Sequence, residues 1–159
     1  MTASGAKAGG GRLLPAGRLG FGDVAPGDVV ETGAVTVTAA MIDQFAGMTG
    51  DRFEIHMSDE AAQRHGFAAR VAHGLLVLSL IDGLKNQAAA QFKAQASLGW
   101  DWSFQAPVLA GDTISATITV ISIKPVSAGD RAVVTLGFDA RNQSGVTVQQ
   151  GTNRLMVYA

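Results

Sequence analysis

The chain contains no cysteine, which excludes disulfides, thiolate nucleophiles and cysteine-based metal sites. Charge is also scarce: Asp, Glu, Lys and Arg make up 16% of the 159 residues, against roughly 25% in ordinary soluble domains. On a chain of this size, so little charge points to a surface partly covered by another subunit. The 12 basic and 13 acidic side chains leave a formal net charge of −1 with no Lys/Arg cluster, so the electrostatic footprint of a nucleic-acid partner is missing. The three histidines, His56, His65 and His73, do not form an H-x-x-x-H spacing, which argues against a metal site. No apolar run approaches the ~20 residues that cross a bilayer. Residues 1–22 are rich in Gly, Ala and Arg and lack the continuous apolar core of a secretory signal. These absences imply a cytoplasmic protein with a flexible leader over residues 1–22 and one folded domain over residues 23–159.

What is present has a clear order. Pro26-Gly27-Asp28 reads as a turn, and Val29 to Thr38 as a strand that ends in alternating β-branched residues. Thr38 can cap a helix whose apolar residues Met41, Ile42, Phe45 and Met48 have helical spacing, and Thr49-Gly50 stops it. Asp51 to His56 reads as a loop or short extended piece, and Ser58 opens a short helix that runs to His65-Gly66. The run Val71 to Leu84 is apolar on nearly every face, which predicts a buried helix wrapped by a sheet. The remainder is strand-like. Ser97–Gln105 carries Trp100, Trp102 and Phe104 in strict alternation, and Thr113–Ile123, Ala132–Ala140 and Val146–Val157 follow, with turns at 127–130 and 142–145. Helices followed by an antiparallel meander predict an α+β fold: one long central helix against a curved antiparallel sheet.

The chemistry-bearing residues concentrate between these elements. Asp51 and His56 lie five positions apart, and His73-Gly74 opens the long apolar run. A carboxylate, an imidazole and unpaired backbone N–H groups at a helix start are the parts needed to move protons and hold a developing oxyanion. Taken singly, each residue has an ordinary reading. Asp51 after Gly50 can be a turn residue or a cap, and His56 a packing or surface histidine. His73 can fix the helix entry by a hydrogen bond. His65 has no partner by spacing and is expected at the surface. Trp100, Trp102 and Phe104 fit a sheet face packed on the central helix. Phe45, Met48 and Phe53 can line an acyl pocket or simply fill a core.

Taken together, Thr49-Gly50-Asp51-x-x-x-x-His56 and Ala72-His73-Gly74-Leu75 resemble the MaoC-type, (R)-specific enoyl-CoA hydratase family of hot-dog-fold proteins. Phe104-Gln105-Ala106-Pro107-Val108-x-x-Gly111-Asp112-Thr113 and Asn142-Gln143-Ser144-Gly145 are similar to that family's later landmarks, and the likeness runs from about Pro26 to the C-terminus. The resemblance implies a single hot-dog domain. It implies a hydro-lyase that hydrates a 2-enoyl thioester, or dehydrates a 3-hydroxyacyl one, with Asp51 and His56 activating water and the Gly74 N–H binding the thioester oxygen. Phe53, His73, Met48 and Asp82 are the candidates for contact with substrate. No metal or other cofactor is implied beyond CoA as the substrate's carrier, with Arg52, Arg64, Lys85 and Lys93 as candidates for its phosphates. A homodimer or higher homo-oligomer is the implied assembly.

Two positions depart from the family pattern. Phe53-Glu54 stands where the family commonly has Asn-Pro, and Asp82 where some members carry a serine. Both favour a branched, polar or unusual acyl group. Two other functions remain open: a hot-dog thioesterase using Asp82 as its helix carboxylate, and a non-catalytic acyl-thioester-binding subunit.

Overall fold

Alternation in the second half of the chain lays out the sheet. In a computed structural model that describes residues 10–127 and 129–159, the long strands are β5 (Ala94–Phe104), β6 (Thr113–Pro125), β7 (Arg131–Arg141) and β8 (Thr147–Tyr158), and the short β2 (Val29–Glu31) flanks them. They form a sheet in the order β2-β6-β7-β8-β5, with antiparallel registers such as Ile118↔Phe138 and Leu136↔Asn153. Period-two burial follows from the pleat. Ile114, Ala116, Ile118 and Val120 of β6 point inward with Val134, Leu136, Phe138 and Ala140 of β7.

The inner face packs on the helix α4 (Gly74–Gln87), which buries Leu76, Val77, Ile81 and Leu84 along one stripe. These side chains and the sheet's inner face form one core cluster. A buried stripe with this spacing is what a helix offers to a sheet. The expectation of burial on all sides does not hold in the single chain, because Leu75 is 61% exposed. The sheet covers one side of α4 only.

The first half of the chain departs from expectation in three places. Val29–Thr38 is not one strand: it breaks into β2 and the two-residue β3 (Val35–Thr36), each paired with a different stretch of β6. Residues 51–56 are not a plain loop, because Glu54–Met57 closes one helical turn, α2. The leader is the third correction. Among the described residues it is packed from Arg12 onward: Leu14 is buried, Arg12 holds the Asp28 carboxylate through Nε and Nη2 at 3.1 and 2.6 Å, and β1 (Gly17–Leu19) pairs in parallel with β4 (Ala90–Phe92). Low complexity hid this arm, since one leucine and one arginine inside a Gly/Ala-rich stretch carry no periodic signal. The part of the expected leader before residue 10 lies outside the described residues.

The helices before α4 obey local rules. Thr38 Oγ1 accepts the Met41 N–H at 3.1 Å to start α1 (Ala39–Thr49). Gly50 ends it at φ 79°, a left-handed position that glycine takes without a Cβ penalty. Ser58 Oγ accepts the Ala61 N–H at 3.1 Å and starts α3 (Asp59–Arg64).

Two substitutions test this packing. Ile81→Ala should lower unfolding free energy by about 2–5 kcal/mol in denaturant titration, as expected for a large-to-small change in a closed core. Leu14→Asp should cost more than about 2 kcal/mol, whereas a free leader would leave the urea midpoint unchanged.

Candidate active site

The site begins with the αL stop at Gly50, which turns the chain so that Asp51 leaves α1 at its C-terminal end. Asp51 Oδ1 then accepts the Phe53 N–H at 3.2 Å, a side-chain turn that presets the entry to α2. One turn of α2 carries His56 inward, where it is buried. From the other side, residues 70–72 run alongside the segment after β5. Ala72 N donates to the Val108 carbonyl at 2.7 Å and Ala110 N to that of Arg70 at 2.9 Å. Val71 N donates to the Ile55 carbonyl at 3.0 Å, so α2 and the α4 entry are stitched to each other.

This stitching orients the imidazoles. His56 Nδ1 lies 2.7 Å from the Val71 carbonyl. A carbonyl only accepts, so Nδ1 carries the proton and Nε2 keeps its lone pair. By the same rule His73 Nε2, 2.8 Å from the Asp51 carbonyl, is the donor on that ring. The two rings stack with centroids 3.9 Å apart and 26° between their planes, and Phe45 lies 4.9 Å from the His73 ring. Burial holds the His56 imidazole below the ordinary histidine range. The bond to Val71 opposes this, the neighbouring His73 adds to it, the Asp51 carboxylate opposes it, and Arg70 adds to it.

Asp51, His56, His73 and Gly74 line one cavity of about 570 Å³, together with Phe104 and Gln149. Ligand atoms of Asp51, His56 and His73 lie within 4.8 Å of one another. One water about 2.8 Å from each of two groups bridges such a gap. The same trio is the set of described residues that could hold a metal ion. The fit is poor, because stacked rings send their in-plane lone pairs side by side, and a zinc ion needs them to converge at ~2.0–2.1 Å.

Gly74 opens α4 behind His73, a cap residue without a side-chain capping bond. The first N–H groups of any helix have no acceptor in their own ladder, and here Gly74 and Leu75, the first two residues of α4, are part of the cavity lining. A Cβ at position 74 would collide with the Phe104 ring, so glycine is required there by a neighbouring aromatic as well as by access to the backbone. Gln149, which the sequence reading passed over, is buried under this turn. Its Nε2 donates to the Gly74 carbonyl at 3.0 Å while its Oε1 accepts the Trp102 indole N–H at 2.8 Å. Its neighbours Thr147, Gln150, Gly151 and Asn153 carry no alternation that would have set it apart. Arg70 was also missed: Nε donates to the His56 carbonyl at 2.8 Å and Nη2 reaches Asp43 at 2.6 Å.

The structure does not bring all the expected residues to the cavity. Met48 is 77% exposed, because α1 turns that face outward. Phe53 is exposed beside the site, its ring edge-on to His56 with centroids 6.1 Å apart. Asp82 lies two turns down α4 and pairs with Lys85 at 2.6 Å. Lys85 is buried, which removes it as a phosphate contact at a tunnel mouth. Glu54 turns away from the site to pair with His65 and Arg64, so His65 has a partner after all. Those contacts pull the Glu54 carboxyl below the usual range, His65 contributing most.

Comparison with known proteins identifies the family and the fold. Residues 23–142 match the model of the MaoC like domain. Protein MaoC of Klebsiella aerogenes is 37% identical over 100 residues, covering 62% of this chain and 30% of that protein. An (R)-specific enoyl-CoA hydratase of Rhodospirillum rubrum is 34% identical over 95 residues, covering 58% of this chain and 63% of the relative. In both cases the match spans less than two thirds of the relative's length. The crystal structure of a MaoC-like dehydratase from Rhodospirillum rubrum superposes with a TM-score of 0.80 at 30% identity, covering 88% of this chain and 97% of that one. A Mycobacterium tuberculosis protein with a double hotdog fold superposes at a TM-score of 0.77 and 20% identity, over 89% of this chain and 44% of its own, and that likeness identifies the fold. The helix on its antiparallel sheet is a hot-dog fold, and the chain belongs to the MaoC-like domain family.

Proposed function

We propose that the protein is a hydro-lyase that reversibly hydrates a 2-enoyl thioester, with acyl-CoA as substrate and CoA as its carrier. One observation carries the reading. Asp51 and His56 come within one water's reach of each other on the lining of a cavity that Gly74, the first residue of α4, also lines, and the bond from His56 Nδ1 to Val71 leaves Nε2 bare. Water held between Asp51 and His56 loses a proton to the pair as its oxygen bonds C3. The C2–C3 π electrons move toward the thioester oxygen, whose negative charge is stabilised by a hydrogen bond donated by the Gly74 N–H. The pair then returns a proton to C2, and the elements of water have been added. The proposal stands on the enoyl-CoA hydratase named among the relatives and on the absence of Asp82 from the cavity lining, which disfavours a thioesterase built on that residue. Among the cations considered for CoA phosphates, Arg52 is exposed next to Asp51, whereas Arg64 is engaged with Glu54.

The assembly we propose is a homodimer. β5 is an edge strand of 11 residues, paired only with β8 in the sheet order and exposed along much of its length. It contains neither Lys nor Pro, the residues that usually protect a free edge from pairing. Leu75 and Phe104, exposed beside the cavity, would then be covered. Sedimentation should return twice the mass of the 16.4 kDa chain; a stable monomer at micromolar concentration contradicts the proposal.

Asp51→Asn and His56→Ala should each lower kcat for hydration of a 2-enoyl-CoA by about 10²–10⁴-fold, with Asp51→Asn unfolding like wild type and His56→Ala still folding cooperatively at a lower melting temperature, because it loses the bond to Val71. Loss of the conjugated thioester absorbance is the readout. Near-normal rates in either variant remove the assignment, thiol release with the double bond intact indicates a thioesterase, and binding without turnover indicates a binding subunit. The pH profile is a separate check. Burial disfavours the imidazolium, so His56 stays a competent base as pH falls through its ordinary value, and the acid limb of kcat/KM should lie below about 6.5. A limb well above that value contradicts the role given to His56.

A further inference from the structure

The proposed reaction uses two of the three clustered side chains and leaves His73 without a part, although it is the most buried of them at 2% exposure. Its ring stacks on His56 at 3.9 Å and meets Phe45 at a tilt of 56°, with centroids 4.9 Å apart. Its Nε2–H bonds the Asp51 backbone carbonyl at 2.8 Å, across 22 residues of sequence. Its Nδ1 is buried and has no hydrogen-bond partner among the described residues. With Nε2 donating, Nδ1 carries the lone pair, which a buried site tolerates better than an N–H with no acceptor. An imidazole with one nitrogen spent on backbone and the other unpartnered is poorly placed to trade protons with substrate, but it touches both groups that do.

We propose that His73 is the positioning residue of the Asp51/His56 pair: its Nε2–H pins the Asp51 carbonyl, and its ring face sets the plane of the His56 imidazole so that His56 Nε2 stays aimed at the shared water. Each contact removes one freedom. Without the bond to Asp51, the hydrogen bonds that residues 51–53 keep among the described residues are local ones: Asp51 N to Thr49 Oγ1 and Phe53 N to Asp51 Oδ1, both 3.2 Å, and His56 N to the Phe53 carbonyl at 2.9 Å. Without the stacked ring, His56 keeps its bond to Val71 but can rotate about it. A shift of about 1 Å in either partner breaks the two-point hold on water, which is a large rate loss for a small displacement. The groups facing His56 are Asp51 from the loop after α1, His73 from the entry to α4, and Arg70 on the His56 carbonyl. Any change in His56 titration caused by altering His73 is read against the other two, which stay in place.

The inference rests on the hydratase reading, so the test has one arm that needs no substrate. In the full-length wild-type protein, imidazole ¹H–¹⁵N correlations at neutral pH should show His73 as the Nε2–H tautomer and His56 as the Nδ1–H tautomer. The opposite tautomer at His73 overturns the proposal without any variant. His73→Phe keeps the stacked ring and loses the donor, while His73→Gln keeps a donor and loses the ring. His73→Phe should lower kcat at least tenfold with KM within about twofold and the His56 titration little changed. His73→Gln should retain more activity than His73→Phe at alkaline pH, but should move the His56 titration and the acid limb of kcat/KM together. If both variants unfold cooperatively like wild type and keep its kcat and its His56 titration, His73 is merely packing and the proposal fails. A wild-type protein that hydrates no thioester but shows the expected tautomers, with His56 perturbed in His73→Gln, refutes the reaction while leaving the positioning role supported.

Discussion

The hydrogen bond from His56 Nδ1 to the Val71 carbonyl is the constraint on which the site depends. It is buried, so losing it would leave two polar groups without water, which costs roughly 1–3 kcal/mol. It also selects the tautomer, because a carbonyl can only accept. One local contact therefore determines which histidine nitrogen faces the cavity. The bonds around it, Val71 N to Ile55 and Ala72 N to Val108, place that carbonyl relative to the start of α4. His56 and the start of α4, which both line the cavity, are thus positioned by one short stretch of backbone.

That stretch explains why several residues near in sequence stand apart in function. Glu54 lies two residues before His56, yet one helical turn points it outward to Arg64 and His65. Asp82 is on the same helix as Gly74, but two turns of α4 carry it away from the cavity and to Lys85. Gln149 is far along the chain and still touches the first turn of α4, because β8 runs beneath it. The two positions where the chain departs from the family pattern therefore do not line the cavity. Phe53 meets the site through its N–H on Asp51 Oδ1 and through its ring, which stands edge-on to that of His56. Neither position shapes the cavity, whose walls are instead formed in part by Phe104 and by residues 105–108.

Much of the architecture was legible because it follows from local chemistry. The alternation matches burial in β6 up to Val120 and through β7, and the caps at Thr38 and Ser58 form the bonds their side chains allow. The ordered motifs around Asp51, His56 and His73-Gly74 identified the family. The arm over residues 10–22 was not legible, since its anchors, Leu14 and the Arg12–Asp28 pair, become meaningful only against a neighbouring strand. The same holds for Gln149, whose two partners come from a strand and a helix that the chain reaches only after long separations.

Sequence by itself determined the periods, the stops and the chemical inventory: a helix start behind His73, a left-handed stop at Gly50, and an acid and an imidazole between them. Such properties depend on a few neighbouring residues, and the physics of caps, turns and pleats acts over that range. Tertiary structure decided which nitrogen is bare, that two histidines stack, that Phe104 covers Gly74, and that Met48 and Asp82 stay outside the cavity. Those outcomes turn on distances between segments that meet only when the sheet closes over α4. No spacing along the chain encodes them.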